Sequence, residues 1–156
     1  MQQIRDFNIQ REDFSVVKDE VDELVSKNWE DTGLGKYGLN LNPDWAAYDA
    51  MDNAGLLGVY TVRKHEVLVG YLVVVARSHP HYKDHVFASN DILFIDKDHR
   101  KGLVGYFLVK YVVEDLKELG VSVLLFNTTV DKPYDPILKR LGFEPTEKLY
   151  MKYLGE

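Results

Sequence analysis

Apolar residues recur along the chain with two different spacings, and these spacings predict the secondary structure. Alternation over Gln3–Ile9 predicts a first strand, because neighbouring side chains of a strand point to opposite faces. The apolar runs Leu57–Arg63 and Val67–Ala76 predict a β-hairpin, since a short polar turn separates them. Between these regions the spacing is helical, with apolar residues at Phe14, Val17, Val21, Leu24 and Val25.

The second half of the chain predicts strands and helices in alternation. A strand over Val86–Ile95 precedes a long amphipathic helix, Val104–Leu119. The continuous apolar run Val121–Phe126 is typical of a strand buried on both faces. We then expect a short helix over Pro133–Leu141 and a last strand over Glu147–Leu154.

One segment in the first half follows neither spacing. Ser26–Asn42 contains several glycines and aromatic residues, so we expect an irregular loop that covers a site. Pro43 then stands where a first helical turn would begin, with Asn42 as the cap of a helix over Asp44–Asn53. The sequence has no repeat or linker, so we expect a single domain over residues 1–156, with helices on both faces of a mixed sheet.

Composition and charge narrow the possible functions. The chain of 156 residues is long enough for one well-buried domain, and it has no cysteine for disulfide bonds or thiol catalysis. Its formal net charge of −6 argues against broad binding to nucleic acid, which depends on Lys and Arg. No apolar run is long enough for a membrane span and the N-terminus has no signal core, so we expect a cytoplasmic protein.

The segment from Asp96 to Gly105 has the chemistry of an anion site. It joins a predicted strand to the long helix, and the first N–H groups of a helix have no intrahelical partner and carry partial positive charge. Gly102 and Gly105 leave the main chain accessible, while Arg100 and Lys101 add positive charge. We therefore expect this segment to hold a phosphate group, and a pyrophosphate in particular.

These features resemble the GNAT superfamily of acyl-CoA-dependent N-acetyltransferases over nearly the whole chain. The resemblance rests on the strand end Leu93–Asp96, the loop Arg100–Gly105 and the late segment Leu141–Phe143. It implies an α+β fold of three layers, with a mixed, mostly antiparallel sheet of six or seven strands and about four helices. The segments Asn42–Trp45 and His79–Tyr82 resemble a subgroup common in bacteriophage and bacterial genomes.

The resemblance also implies the reaction and the cofactor. Acetyl-CoA would donate its acetyl group to a primary amine by direct attack in a ternary complex. The diphosphate would lie on the loop's N–H groups and the pantetheine arm beside the strand before it, while an asparagine after the next strand would hold the arm or simply end that strand. The cofactor-binding residues expected on this basis are Phe94, Ile95, Arg100, Lys101, Gly102, Leu103, Val104, Gly105 and Asn127.

Two residues are candidates for proton transfer. Asp91 matches the place where many relatives have a carboxylate that takes a proton from the amine, although a solvated or capping role is equally open. Many relatives also have a tyrosine four residues before the glycine equivalent to Gly142, where this chain has Leu138. Tyr134 is the candidate replacement as general acid, and its alternative is a packed residue at a helix start.

Four residues are candidates for contact with the acceptor: Trp29, Trp45, His81 and Tyr82. Acidic residues crowd the region of the tryptophans, which would suit a polyamine, an aminoglycoside-like amine or a protein lysine, although such a charge run is usually a solvated face. The tryptophan region is also compatible with a buried aromatic stripe.

The spacing of His79 and His81 is that of two metal ligands, but it fits a hairpin loop better, and we expect no metal.

Two other functions stay open. Leu138 is compatible with a protein that binds coenzyme A or an acyl-CoA without turnover. A GNAT-like enzyme that modifies a nucleobase is the third possibility, and the acidic charge argues against it. Relatives are often dimers, and the alternation in Glu147–Leu154 predicts an exposed edge through which a homodimer could form.

Overall fold

A six-stranded mixed sheet forms the centre of the structure, a computed structural model that describes residues 1–32, 34–100, 102–131 and 133–155, with the side chains of 28–32 outside the description. The strands follow one another across the sheet in chain order, and all neighbours are antiparallel except the last two, which are parallel. The predicted α+β class with a mixed, mostly antiparallel sheet is confirmed. The strands are β1 (Gln2–Ile4), β2 (Phe7–Glu12), β3 (Leu57–Lys64), β4 (Val67–His79), β5 (Tyr82–Ile95) and β6 (Val121–Leu125).

Four α-helices are present in the described ranges, and they flank the sheet. They are α1 (Phe14–Thr32), α2 (Trp45–Asn53), α3 (Val104–Glu118) and α4 (Asp135–Arg140), with short 3₁₀ helices at Leu34–Tyr37 and Lys97–His99. No α-helix of the described part has the length and apolar character needed to cross a bilayer.

Two cores lie on the two faces of the sheet, because alternate residues of each strand point to opposite sides. In β4, Leu72 and Val74 enter the core beneath α3, whereas Tyr71 and Val73 enter the core beneath α1 and α2. The helical spacing of the apolar residues correctly predicted which faces of α1 and α3 are buried. The first core buries Val104, Leu108, Val112 and Leu116 of α3, and the second buries Phe14, Val17, Val21 and Leu24 of α1.

The first predicted strand is instead a hairpin of two strands. β1 and β2 pair with Ile4 opposite Phe7, and Arg5 adopts the left-handed conformation with φ 52°. The prediction of one continuous strand was therefore wrong. The alternation continues across the turn, so the pattern of apolar residues alone does not reveal that the chain reverses.

The predicted loop Ser26–Asn42 is also largely wrong, because α1 continues to Thr32. The segment has no glycine or proline before position 33, so its first residues contain no signal that would end the helix. The cap of α2 differs as well: the side chain of Asp44, and not that of Asn42, accepts a 3.0 Å hydrogen bond from the N–H of Ala47.

The end of the chain departs furthest from the prediction. No strand is assigned over 143–155, so the predicted terminal strand Glu147–Leu154 is wrong, and Leu149 is 91% exposed. Within the described residues β6 is consequently the last strand of the sheet, and its Leu125 is 40% exposed rather than buried on both faces. Alternation predicts a strand only where a neighbouring edge pairs with it, and such pairing is not visible in a local pattern.

Candidate active site and cofactor loop

The parallel strands β5 and β6 separate before β5 ends. Their pairing runs from Val86 opposite Val121 to Ser89 opposite Leu125, whereas β5 continues to Ile95. One further contact follows, in which the side-chain amide of Asn90 bonds the main chain of Asn127. Nδ2 of Asn90 donates to the carbonyl oxygen of Asn127 at 3.1 Å, and the N–H of Asn127 donates to Oδ1 of Asn90 at 2.6 Å. Beyond this contact, residues 91–95 of β5 have no strand partner on the β6 side within the described residues, and this unpaired side is called the gap below.

Asp91 lies at the start of this gap, in a β-bulge. Val73 of β4 is paired with Ile92 and Val74 with Asn90, so Asp91 is the extra residue with no partner on β4. A bulge redirects side chains that a regular strand would hold in register. The candidate carboxylate thus lies in β5, and the bulge places it where β5 and β6 separate.

The hydroxyl of Tyr48, on α2, donates a 2.5 Å hydrogen bond to Oδ2 of Asp91. The ring of Tyr48 stacks on Phe14 with 5.6 Å between centroids and lies 5.5 Å from Trp45. Burial and, secondly, the hydrogen bond to Asp91 raise the pKa of Tyr48 far above its usual value. Tyr48 therefore keeps its proton at neutral pH and acts as a hydrogen-bond donor.

Trp45 belongs to the same aromatic cluster. Its indole Nε1 donates a 3.0 Å hydrogen bond to Oδ1 of Asp22 on α1. The structure thus brings one predicted acceptor residue, Trp45, close to the residue that contacts Asp91. Trp29 lies in α1, but its side chain falls outside the described part of the chain.

The loop before α3 leaves the helix start open to a ligand. Leu103 is the N-cap residue, and among the described residues no side chain caps the helix. The N–H of Phe107 makes the first intrahelical bond, to the carbonyl oxygen of Leu103 at 2.9 Å, so the N–H groups of the preceding turn are available to an anion. Gly102 has φ 81°, and a Cβ at this position would meet open space, which leaves room for a ligand. Lys101 lies outside the described residues.

Gly105 lies where α3 packs closely against α4. A Cβ at this position would lie 3.3 Å from Cδ1 of Ile137 on α4 and 3.7 Å from Cδ1 of Ile95. The guanidinium of Arg140, also on α4, lies 4.7 Å from the ring centre of Tyr106. One side of the first turn of α3 thus packs against α4, a contact that was not predicted from the sequence.

The side chain of Arg100 is hydrogen-bonded to the end of β5. Its Nε donates a 2.5 Å hydrogen bond to the carbonyl oxygen of Ile95, and its guanidinium lies 5.6 Å from the ring centre of Phe94. The N–H of Asp96 bonds the carbonyl oxygen of Val69 on β4. Because the direction of main-chain groups alternates along a strand, the main chain of Phe94 also faces β4 and that of Ile95 faces the gap. Of the two predicted contacts for a pantetheine arm, Ile95 is in position, and the main chain of Phe94 is not.

A second cation near the loop comes from α1. Nζ of Lys27 lies 3.0 Å from Oδ2 of Asp96, and the N–H of Asp98 donates to Oδ1 of Asp96 at 3.1 Å. The N–H of Asp98, followed by Lys27, holds the pKa of Asp96 below its usual value. The sequence carries no local signal for this pair, because 69 residues separate its members.

Leu138 lies on α4, and Tyr134 immediately precedes that helix. Leu138 is 7% exposed and packs as a core residue. Tyr134 is the N-cap residue, and its carbonyl oxygen accepts hydrogen bonds from the N–H groups of Ile137 and Leu138 at 2.9 and 3.0 Å. Since Ile137 contacts the first turn of α3, Tyr134 lies one helical turn from that contact.

His81 and Tyr82 are not brought to Asp91. They lie at the tip of the hairpin formed by β4 and β5, where the ring of Tyr82 stacks on Phe87 with 5.8 Å between centroids. Tyr82 and Asp91 are nine positions apart along β5, about 30 Å at the usual rise of a strand. Nowhere in the described chain do three His, Asp or Glu side chains converge as a metal site requires.

Comparisons with known proteins identify the fold. No sequence-family profile matches the chain, and no curated protein matches it. Among solved structures, an aminoglycoside acetyltransferase, meta-AAC0020, from an uncultured soil metagenomic sample matches with a TM-score of 0.72 and 14% identity, over 97% of this chain and 96% of that one.

Two further structures show the same similarity. A predicted acetyltransferase from Clostridium acetobutylicum, solved with acetyl-CoA, has a TM-score of 0.70 and 13% identity, over 95% of this chain and 96% of that one. Glucosamine-6-phosphate N-acetyltransferase from Arabidopsis thaliana has a TM-score of 0.69 and 13% identity, over 96% and 99%. The chain therefore has the fold of the GNAT acetyltransferases.

Proposed function

We propose that this protein is an acetyl-CoA-dependent N-acetyltransferase that moves an acetyl group to a primary amine in a ternary complex. One observation carries the proposal: the pairing of β5 with β6 ends at Ser89, just before the bulge at Asp91, and β5 then continues to the loop that precedes the uncapped start of α3. The resulting gap can hold the extended pantetheine arm of acetyl-CoA. An uncapped helix start can hold the diphosphate at the end of that arm. The fold similarity to an acetyltransferase solved with acetyl-CoA supports this assignment.

The described residues fit this cofactor. The N–H groups of the first turn of α3 would hold the diphosphate, since Gly102 leaves space and no described side chain competes as a cap. The main chain of Ile95 would contact the pantetheine arm, and Asn127 lies at the closed end of the gap, where its main chain bonds Asn90. Acetyl-CoA supplies the acetyl group as an activated thioester.

Asp91 acts as the general base in this proposal. It takes a proton from the ammonium form of the acceptor, so that the nitrogen lone pair forms the new C–N bond while the C–S bond breaks. The nitrogen loses a second proton to water as the amide forms, and the departing thiolate gains a proton. Tyr134 is the proposed donor of that proton, which water then replaces, since it immediately precedes the helix that packs against the first turn of α3.

The acceptor is proposed to be a cationic amine that binds beside α2. Trp45 and Tyr48 supply aromatic surfaces there, and Asp22 and Asp91 supply negative charge. Aromatic faces and carboxylates together attract ammonium groups. The similar structures are named for an aminoglycoside and for an amino-sugar phosphate as acceptors, so spermidine, sisomicin, glucosamine 6-phosphate and a lysine peptide form a suitable panel.

The test is thiol release from acetyl-CoA with each amine of this panel. We expect at least one amine to accelerate release, with an acetylated product in the mass spectrum, and Asp91→Asn to lower kcat by about 10²-fold or more. Acetyl-CoA binding without release by any amine would contradict the proposal. That outcome would favour the alternative, a protein that binds coenzyme A without turnover, for which the buried Leu138 is the supporting observation.

We also propose that two copies associate through the end of the chain. Leu149, Tyr150 and Leu154 are each more than 80% exposed, and an apolar surface of this kind favours association. Sedimentation of the full chain and of a chain ending at residue 146 tests this. A dimer that the shortened chain cannot form is expected, and a monomer for both chains would contradict it.

A further inference from the structure

We propose that Tyr48 is a positioning residue that holds the carboxylate of Asp91 in the orientation needed to accept the proton of the acceptor amine. This inference rests on the proposed function, because it assigns a role within the same site. It extends that proposal to a residue on α2, a helix that no cofactor contact requires.

The bulge explains why Asp91 needs a positioning partner. As the extra residue of β5, it has no cross-strand neighbour on β4 to restrict its side chain. It is also solvent-exposed, so packing does not select one rotamer. Among the described residues, Tyr48 alone donates a hydrogen bond to its carboxylate, at 2.5 Å.

Tyr48 is itself rigidly held. Its ring stacks on Phe14, which is 1% exposed, and lies against Trp45, whose indole is fixed by Asp22. The position of the hydroxyl is therefore set by the packing of α2 on α1. A fixed donor to a mobile carboxylate selects one orientation of that carboxylate.

The geometry also decides which oxygen of Asp91 reacts. The hydroxyl of Tyr48 donates its hydrogen bond to Oδ2, and no described residue donates a hydrogen bond to Oδ1. Oδ1 is thus the oxygen available to the acceptor. Tyr48 does not transfer the proton, because burial and the neighbouring carboxylate raise its pKa far above neutral.

A second tyrosine–aspartate pair provides a matched control on the opposite face of the sheet. The hydroxyl of Tyr60 donates a 2.7 Å hydrogen bond to Oδ2 of Asp115, which joins β3 to α3. Tyr60 is fully buried and belongs to the core beneath α3, away from the bulge. Tyr60→Phe removes the same chemical bond without touching the site.

The experiment is a double-mutant cycle on thiol release from acetyl-CoA, with the amine of the panel above that gives the fastest reaction. The parent is compared with Tyr48→Phe, Asp91→Asn, both together, and Tyr60→Phe. We expect Tyr48→Phe to lower kcat about 5- to 30-fold with the KM for acetyl-CoA unchanged. In the Asp91→Asn background we expect it to have no further effect, since the carboxylate that it positions is gone.

The control separates positioning from stability. Tyr60→Phe should lower Tm at least as much as Tyr48→Phe, yet leave kcat within about twofold of the parent. Equal losses of kcat in both tyrosine variants, or independent effects of Tyr48→Phe and Asp91→Asn that multiply, would overturn the positioning role. A parent that binds acetyl-CoA but releases no thiol with any amine overturns the proposed function itself, and this result is distinct from a failed cycle in an active enzyme.

Discussion

The side-chain amide of Asn90 makes two hydrogen bonds with the main chain of Asn127, one as donor and one as acceptor. This arrangement imitates one more rung of the ladder between β5 and β6, immediately before the strands separate. It fixes the width of the gap at its closed end, next to Asp91. The side chain of Asn127, which the sequence analysis favoured as a cofactor contact, takes no part in it.

Substitutions at these two positions are therefore expected to act differently. Asn90→Ala removes two hydrogen bonds and should lower the free energy of unfolding by about 1–2 kcal/mol, and it should raise the KM for acetyl-CoA because the gap is no longer fixed. Asn127→Ala keeps both main-chain groups and should leave stability within about 0.5 kcal/mol. Urea denaturation of both variants checks this, and equal destabilisation would contradict it.

The contact between Gly105 and Ile137 predicts a steric interaction between α3 and α4. Gly105→Val places a branched side chain against Cδ1 of Ile137, so we expect a loss of about 1–3 kcal/mol in unfolding free energy. Ile137→Ala in the same chain should recover part of that loss, because it removes the contacting atoms. If the double variant loses the sum of the unfolding free energies lost by the two single variants, the two positions do not touch.

The pairing of Glu12 with Arg63 predicts a dependence of stability on pH. Burial raises the pKa of Glu12, but hydrogen bonds from Arg63 and Thr61 outweigh burial and hold it below its usual value. The lowered pKa means that this pairing stabilises the protein at neutral pH and that the stabilisation is lost as pH falls through the lowered pKa.

Arg63→Met tests that dependence. It leaves the carboxylate of Glu12 mostly buried without its cation, so we expect a loss of about 3 kcal/mol at pH 7. The difference from the parent should shrink as pH falls, because Glu12 becomes protonated in both proteins. Urea denaturation at pH 7 and over a series of acidic pH values measures it, and a difference that does not change with pH would contradict this prediction.

Local patterns predicted most of the fold. The spacing of Val104, Leu108 and Val112 marked the buried face of α3, and the alternation in β3 and β4 marked residues that enter opposite cores. The junction of a strand and a helix at the loop before α3 was also predicted from a local pattern, and phosphate binding there stays a prediction.

The features that depend on pairing were not predicted. The bulge at Asp91 follows from the register of β4 against β5, and Tyr48 meets Asp91 across 43 residues of sequence. Gly105 was interpreted as a glycine for ligand access, whereas its close neighbour is Ile137 on a helix that follows β6. Periodicity carries no information about which residues of different elements meet.

Acetyl-CoA binding at the start of α3 is the central claim, and Leu103 offers its sharpest test. Leu103→Asp places a carboxylate at the N-cap, which should maintain or raise stability but repel a diphosphate, whereas Leu103→Asn supplies a neutral cap of the same shape. The measurement is calorimetric titration of acetyl-CoA into the parent and both variants. The account predicts micromolar binding by the parent, weaker binding by Leu103→Asn and at least 100-fold weaker binding by Leu103→Asp; no binding by the parent, or equal binding by all three proteins, would contradict it.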